Sequence, residues 1–293
     1  KLCVRGNILL YNYCKKNHIE HINTKKILVA STEKQISVID KIKYQAEKNG
    51  VRNIEKITKK KVNDLENLIF CEEALLVPSS GIIDAISFMR SLVGKIEDNQ
   101  GMISYNSKLK KVELKNNEFI LHIDDSDNTI VKCKQLINSA GLFASQVATK
   151  FDFLNKNFIP TTYFAKGNYF SVSKNLGIKH LIYPIPEGFG LGIHLTLELD
   201  GTCKFGPDVE WTDSPYDYSV NVEKKEKFVK EILKYIPKFN GDLLKPSYAG
   251  IRPIMNKKDQ SMRDFIIEGS EIHNVSNLIN LYGIESPGLT SSL

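Results

Sequence analysis

The sequence predicts a mixed α/β fold in two interleaved parts: a parallel strand–helix layer and a second domain on a larger, mainly antiparallel sheet. Three observations carry this. Apolar Leu136-Ile137-Asn138 and Leu278-Ile279-Asn280-Leu281-Tyr282 read as strands that end on small residues, Ser139-Ala140-Gly141 and Gly283, before a helix start. Between Phe164 and Phe205 the pattern turns to short strands, with Asp200-Gly201 as a hairpin turn. Helical patterns are interspersed among these blocks.

In chain order, Leu2, Val4, Ile8, Leu9 and Tyr13 lie on helical spacing and predict a helix over 2–17. Lys26-Ile27-Leu28-Val29-Ala30 is a short buried strand, and Ser31-Thr32-Glu33 opens a helix through about Asn49. Ser79-Ser80-Gly81 precedes Ile83, Ile86, Met89, Leu92, Val93 and Ile96, an amphipathic helix. Met102 to Tyr105, Lys111 to Leu114, Phe119 to Ile123 and Ile130 to Cys133 are strand candidates separated by Asn and Asp turns. Leu142 to Lys150 is helical, as is the stretch marked by Phe228, Val229, Ile232, Leu233 and Ile236, which Pro237 stops.

At 293 residues the chain is long enough for two domains. Its 42% apolar and 25% charged residues are those of an ordinary globular protein. The net charge of +6 comes from scattered lysine pairs such as Lys110-Lys111 and Lys224-Lys225, with no arginine-rich stripe, so no nucleic-acid partner is expected. Five cysteines, widely spaced and odd in number, argue against a metal knuckle or a disulfide framework and point to a reducing, cytoplasmic setting. No apolar run reaches transmembrane length and no signal peptide is recognisable. The sequence opens at Lys1 inside a helical pattern and stops as another helix starts, so a fragment cut at both ends is expected.

Four places could carry chemistry. Along Phe189-Gly190-Leu191-Gly192-Ile193-His194-Leu195-Thr196-Leu197-Glu198-Leu199 the odd positions are apolar; the even ones are Gly, Gly, His, Thr and Glu. Period-two alternation puts one row in a core and leaves bare backbone, His194 and Thr196 on the other face, where a flat ligand could lie. The plainer reading is a glycine-relieved bend with a half-exposed histidine. Lys166, among apolar residues in a strand, is either a carboxylate-binding cation or a snorkelling side chain. Lys166 and Tyr169 should face opposite ways, and Lys166 is assigned to the site. Arg252, in Gly250-Ile251-Arg252-Pro253, offers a planar guanidinium to a carboxylate or pins a loop. Finally, Ser286 as N-cap and Pro287 at the first helical position predict a helix after Gly283, whose amino end suits anionic or electron-rich groups.

These pieces, in this order, resemble the FAD-dependent oxidoreductases of the D-amino-acid-oxidase superfamily, within it the L-2-hydroxyglutarate-oxidising branch. The resemblance runs over nearly the whole chain. It rests on Val77-Pro78-Ser79-Ser80-Gly81-Ile82-Ile83-Asp84, Ile137-Asn138-Ser139-Ala140-Gly141-Leu142, Lys166-Gly167-Asn168-Tyr169, Gly190-Leu191-Gly192-Ile193-His194-Leu195-Thr196, Gly250-Ile251-Arg252-Pro253 and Gly283-Ile284-Glu285-Ser286-Pro287-Gly288-Leu289-Thr290. It implies a Rossmann-like FAD-binding domain, lacking its first βαβ unit here, interleaved with a substrate domain. The implied boundaries are 1–25, 77–155 and 249–293 for the FAD domain and 26–76 and 156–248 for the substrate domain.

Residue by residue, the resemblance places Leu109 at adenine, Ala140 and Gly141 along the ribose and pyrophosphate, and Gly283, Ile284, Glu285, Ser286, Pro287, Gly288, Leu289 and Thr290 against the isoalloxazine. The implied reaction oxidises a small 2-hydroxy diacid, L-2-hydroxyglutarate, to 2-oxoglutarate by hydride transfer to flavin. His194 would be the base, and Arg252 and Lys166 the cations for two carboxylates. No metal is implied; a peripheral membrane contact and the electron acceptor stay open. Two alternatives stand beside it: an amine oxidase of the glycine or sarcosine type on the same fold, and a non-catalytic remnant or split-gene fragment.

Overall fold

Ile27 and Val29 alternate with Lys26, Leu28 and Ala30, and this alternation places one strand inside a nine-stranded sheet in the computed structural model, which describes residues 1–185, 192–255 and 264–293. In hydrogen-bonded order the sheet runs Glu210–Thr212, Tyr163–Val172, Cys203–Gly206, His194–Leu197, Leu181–Pro184, Lys26–Ala30, Glu73–Val77 and Glu55–Thr58. Leu244–Ile254 pairs along nearly the whole length of Tyr163–Val172. Only Leu181–Pro184 and Lys26–Ala30 pair in parallel; the other pairs are antiparallel.

One face of this sheet is the main core. Ile27, Phe170, Ile182, Leu195 and Phe205, all fully buried, pack against Phe228, Ile232 and Tyr235 from the helix Lys225–Leu233 and the turn after it. A second cluster joins Val112 and Phe119, from an antiparallel sheet of Leu109–Lys115, Glu118–Ile123 and Ile130–Cys133, to Ala144, Ala148, Leu278 and Tyr282. There Leu278–Tyr282 pairs in parallel with Leu136–Asn138, so the Ala140-Gly141 turn and the chain after Gly283 both leave the carboxyl ends of neighbouring parallel strands. That is where ligands of open α/β sheets bind. The strand Leu244–Ile254 continues through residue 249, where the resemblance begins its last segment.

The helix Leu2–Lys16 matches its periodicity. Its Gly6 faces the chain's last turn, where a Cβ would come 2.1 Å from the Thr290 carbonyl oxygen. Helix Ala85–Asp98 is capped by Asp84, whose carboxylate accepts from the Ile86 and Ser87 amides. Three expectations are corrected. Met102 to Tyr105 is not a strand: it has no pairing partner among the described residues, and Met102 is 95% exposed. The expected helix from Ser31 starts as a 3-10 turn, Glu33–Gln35, and becomes α-helical only over Ile36–Lys48. Likewise 142–150 divides into a 3-10 turn, Gly141–Phe143, and the short helix Ala144–Ala148, because Gly141 at φ +57° turns the chain first.

Candidate active site

Strand alternation assigns each candidate side chain to a face of the large sheet. In register, Ala165 lies opposite Arg252, Lys166 opposite Ile251 and Gly167 opposite Gly250; His194 lies opposite Gly206 and Thr196 opposite Lys204. Leu195, Phe205, Ile182 and Phe170 take the core face. The opposite face therefore carries Tyr169, Tyr183, His194, Thr196, Lys204, Tyr248 and Arg252. Gly250, beside Arg252 on this face, has none of the described residues within 4 Å of where a Cβ would stand.

His194 is 5% exposed, and its neighbour is aromatic rather than aliphatic: the imidazole stacks on Tyr183 with ring centroids 3.9 Å apart. Its Nδ1 lies 3.1 Å from the Gly192 carbonyl oxygen. A carbonyl only accepts, so Nδ1 carries the hydrogen and Nε2 keeps its lone pair. Burial holds the imidazole far below its usual range, to about 3, and the positive charges of Arg252 and Lys26 push the same way. His194 is therefore a neutral acceptor. The backbone beneath it is fixed from the core, where the fully buried Tyr235 hydroxyl donates to the Ile193 carbonyl at 2.9 Å. Gly192 adopts φ +74°, while Gly190 of the glycine pair lies outside the described residues.

Arg252 reaches from this face to the terminal segment, its Nη1 3.5 Å from Glu285 Oε2. It also hydrogen-bonds Tyr169, which stacks on Tyr248 at 4.6 Å. Burial raises the Glu285 carboxyl above its usual range, and Arg252 opposes that rise. Lys204 lies 4.7 Å over the Tyr248 ring and forms an ion pair with Glu198. Lys26 lies 4.8 Å over the other stacked ring, Tyr183.

Lys166 does not join this group, which corrects the sequence assignment. It points to the opposite face at 3% exposure, 2.7 Å from Asp217 and 3.6 Å from Glu210. Lys224 extends the network, 2.7 Å from both Asp208 and Glu210. The reason is parity: Lys166 and Tyr169 differ by an odd number of positions, and Tyr169 is the one on Arg252's side. Tyr169 was the alternative set aside for Lys166, and Tyr183, Tyr248 and Lys26 escaped the sequence reading. The usable signal was the same alternation that placed His194, applied to Tyr248-Ala249-Gly250-Ile251-Arg252.

The terminal segment also differs from expectation. After Gly283 (φ +65°) comes no helix capped by Ser286 but one 3-10 turn, Leu289–Ser291, with Gly288 as its N-cap. Ser286 instead donates its amide to its neighbour Glu285 at 2.8 Å. On the adjacent strand, Asn138 Nδ2 donates to Asn280 Oδ1 at 3.1 Å, and the Ala140 amide reaches Asn138 Oδ1 at 3.4 Å. Asn280 is wholly buried and its Nδ2 has no partner among the described residues. Gly141 has positive φ and open space where a Cβ would be. Leu109 and Ala140 border the same apolar cluster, and the Leu109 carbonyl accepts from Lys150 Nζ. His194, Arg252 and Glu285 thus form one group, and Leu109, Ala140 and Gly141 lie around the parallel strands.

The family model described as DAO, FAD dependent oxidoreductase, matches residues 1–293. The mitochondrial L-2-hydroxyglutarate dehydrogenase of Arabidopsis thaliana is 37% identical over 335 residues, spanning 100% of this chain and 69% of that protein. A glycerol 3-phosphate dehydrogenase of Caloramator mitchellensis is 25% identical over 296 residues, spanning 100% of this chain and 59% of that protein. Among solved structures, the dithionite-reduced L-α-glycerophosphate oxidase of Mycoplasma pneumoniae with FAD bound is alike in fold. Its TM-score is 0.87 at 21% identity, over 99% of this chain and 75% of that one.

Proposed function

Because this chain belongs to the DAO family of FAD-dependent oxidoreductases, we propose that it oxidises a small 2-hydroxy diacid, L-2-hydroxyglutarate, to 2-oxoglutarate. It is an enzyme, and its cofactor is FAD. The residues present fit that group. Among the described residues, Gly141 opens space at the carboxyl end of a parallel strand, the Asn280 amide in the same layer is unpaired, and Gly250 leaves the sheet face clear beside Arg252. Ala140, Gly141 and the Gly283–Thr290 segment would hold it, and when bound it supplies the acceptor for the two electrons leaving the substrate.

The observation that carries the substrate reading is the meeting of a neutral, aromatic-stacked His194 with Arg252 on one sheet face. Arg252 takes the carboxylate next to the carbinol carbon, as a planar fork suited to two oxygens. His194 Nε2 accepts the hydroxyl proton. The anionic substrate itself raises the affinity of that imidazole for a proton, offsetting the depression that burial and two cations impose. Tyr183 covers one side of the imidazole, and Tyr169, stacked on Tyr248, holds Arg252. The resemblance in sequence to the plant dehydrogenase supports the choice of diacid.

Anaerobic reduction of the bound flavin tests the reading, with L-2-hydroxyglutarate, glycerol 3-phosphate, glycine and sarcosine as competing substrates. Bleaching by L-2-hydroxyglutarate at a kcat/KM at least tenfold above the others is expected. Bleaching by glycine or sarcosine alone would return the chemistry to amine oxidation, and by glycerol 3-phosphate alone to a phosphorylated alcohol.

A further inference from the structure

The cations on the His194 face differ in one respect. Arg252 has Glu285, and Lys204 has Glu198. Lys26 forms no ion pair among the described residues, although it is half-buried. The strand order explains where it stands: His194, Tyr183 and Lys26 come from three consecutive strands, His194–Leu197, Leu181–Pro184 and Lys26–Ala30. Their neighbours Leu195, Ile182 and Ile27 turn into the core, so all three side chains share the other face. The file is close-packed, with 3.9 Å between the imidazole and phenol rings and 4.8 Å from the ammonium to the phenol centroid.

An ammonium taken out of water without a carboxylate is costly, and a ring face compensates only in part. Here burial pulls the Lys26 ammonium below its usual pKa, and among the described residues no acid is paired with it to hold it up. Its charge is felt at His194, as is that of Arg252. Lys26 is separated from the imidazole by the Tyr183 ring, and in the strand order Arg252 and Lys26 lie on either side of His194 on one sheet face, so a doubly charged ligand there has a cation on each side.

We propose that Lys26 binds the distal carboxylate of a dicarboxylate substrate while Arg252 holds the carboxylate beside the carbinol, so that Lys26 selects diacids over monoacids. This rests on the reading of the site as a 2-hydroxy-acid site and replaces Lys166, which faces away, as the second anchor. Lys204 is the lesser candidate because Glu198 already compensates it.

Calorimetric titration of the FAD-loaded protein with glutarate and with butyrate, neither of which has a hydroxyl to oxidise, tests the assignment. Lys26→Met should weaken glutarate roughly 10- to 100-fold and leave butyrate within about twofold, since a hydrogen bond to a charged group is at stake. Lys26→Arg should restore most of the glutarate affinity. Equal weakening of both ligands would mean that Lys26 only supports Tyr183, and unchanged glutarate binding would give its carboxylate to another cation; either overturns the proposal. Because the titration needs no turnover, a protein that discriminates through Lys26 yet leaves its flavin oxidised with L-2-hydroxyglutarate would refute the oxidation reading alone.

Discussion

Replacing Gly6 by alanine sets two effects of opposite sign against each other. Gly6 lies within the helix Leu2–Lys16, where alanine is worth about 0.5–1 kcal/mol over glycine. The added Cβ, however, would lie 2.1 Å from the Thr290 carbonyl oxygen and 2.9 Å from the Ser291 Cα, both backbone atoms. Relief requires the terminal turn to move away by more than an ångström, and overpacking of that kind costs about 1–3 kcal/mol or more. Steric cost exceeds propensity. Gly94 supplies the control: it lies in helix Ala85–Asp98 with nothing within 4 Å of its Cβ position, so the propensity gain stands alone. Thermal unfolding should show Gly6→Ala destabilised by about 1–2 kcal/mol and Gly94→Ala stabilised by about 0.5–1 kcal/mol. Since the displaced turn overlaps the segment proposed to hold FAD, FAD affinity should fall for Gly6→Ala only. A Gly6→Ala protein as stable as Gly94→Ala would refute the close approach of the two chain segments.

Other outcomes follow from the same geometry. His194 is held neutral, with a folded pKa of about 3 against about 6.5 unfolded, so its contribution to stability is complete above about pH 6.5 and is lost as pH falls toward 3. That contribution is of order 3–5 kcal/mol, and His194→Gln should flatten this part of an acid-denaturation curve and lower kcat at least 100-fold. Lys166→Met should leave the kcat/KM for L-2-hydroxyglutarate within about twofold in flavin-reduction assays. It should cost about 1–3 kcal/mol in urea unfolding, because Asp217 keeps access to water when its partner goes. Tyr235→Phe strips the donor from a buried Ile193 carbonyl, a loss of about 1–3 kcal/mol. It should reduce kcat more than KM, with a shifted acid limb in the pH profile; an unchanged profile would make Tyr235 purely structural.

Alternation was the legible part of the sequence. It put His194 on the face away from Leu195, while short apolar runs gave the strands Lys26–Ala30 and Leu278–Tyr282. Motif order made the family readable. The second cation was not, because parity says which residues share a face within a strand but not which strands are neighbours. Lys26 is 168 positions from His194 and joins it only through the parallel pairing of Leu181–Pro184 with Lys26–Ala30. The terminal turn was misread because Ser286 and Pro287 have helix-start chemistry, whereas Glu285 captures the Ser286 amide and Gly288 assumes the cap. Met102 to Tyr105 looked like a strand by composition alone, and exposure followed from the lack of any pairing edge.

The Arg252–Glu285 contact has a thermodynamic corollary. On the proposed reading one guanidinium cannot fully compensate both Glu285 and an incoming anion, so ligand entry withdraws part of the opposition to the rise that burial imposes on this carboxyl. Burial already favours its neutral form, and occupation of Arg252 therefore draws hydrogen ions from the medium. By reciprocity, alkaline conditions loosen the ligand and acidic ones tighten it. A salt link at the edge of a sheet becomes a meter coupling solution acidity to occupancy.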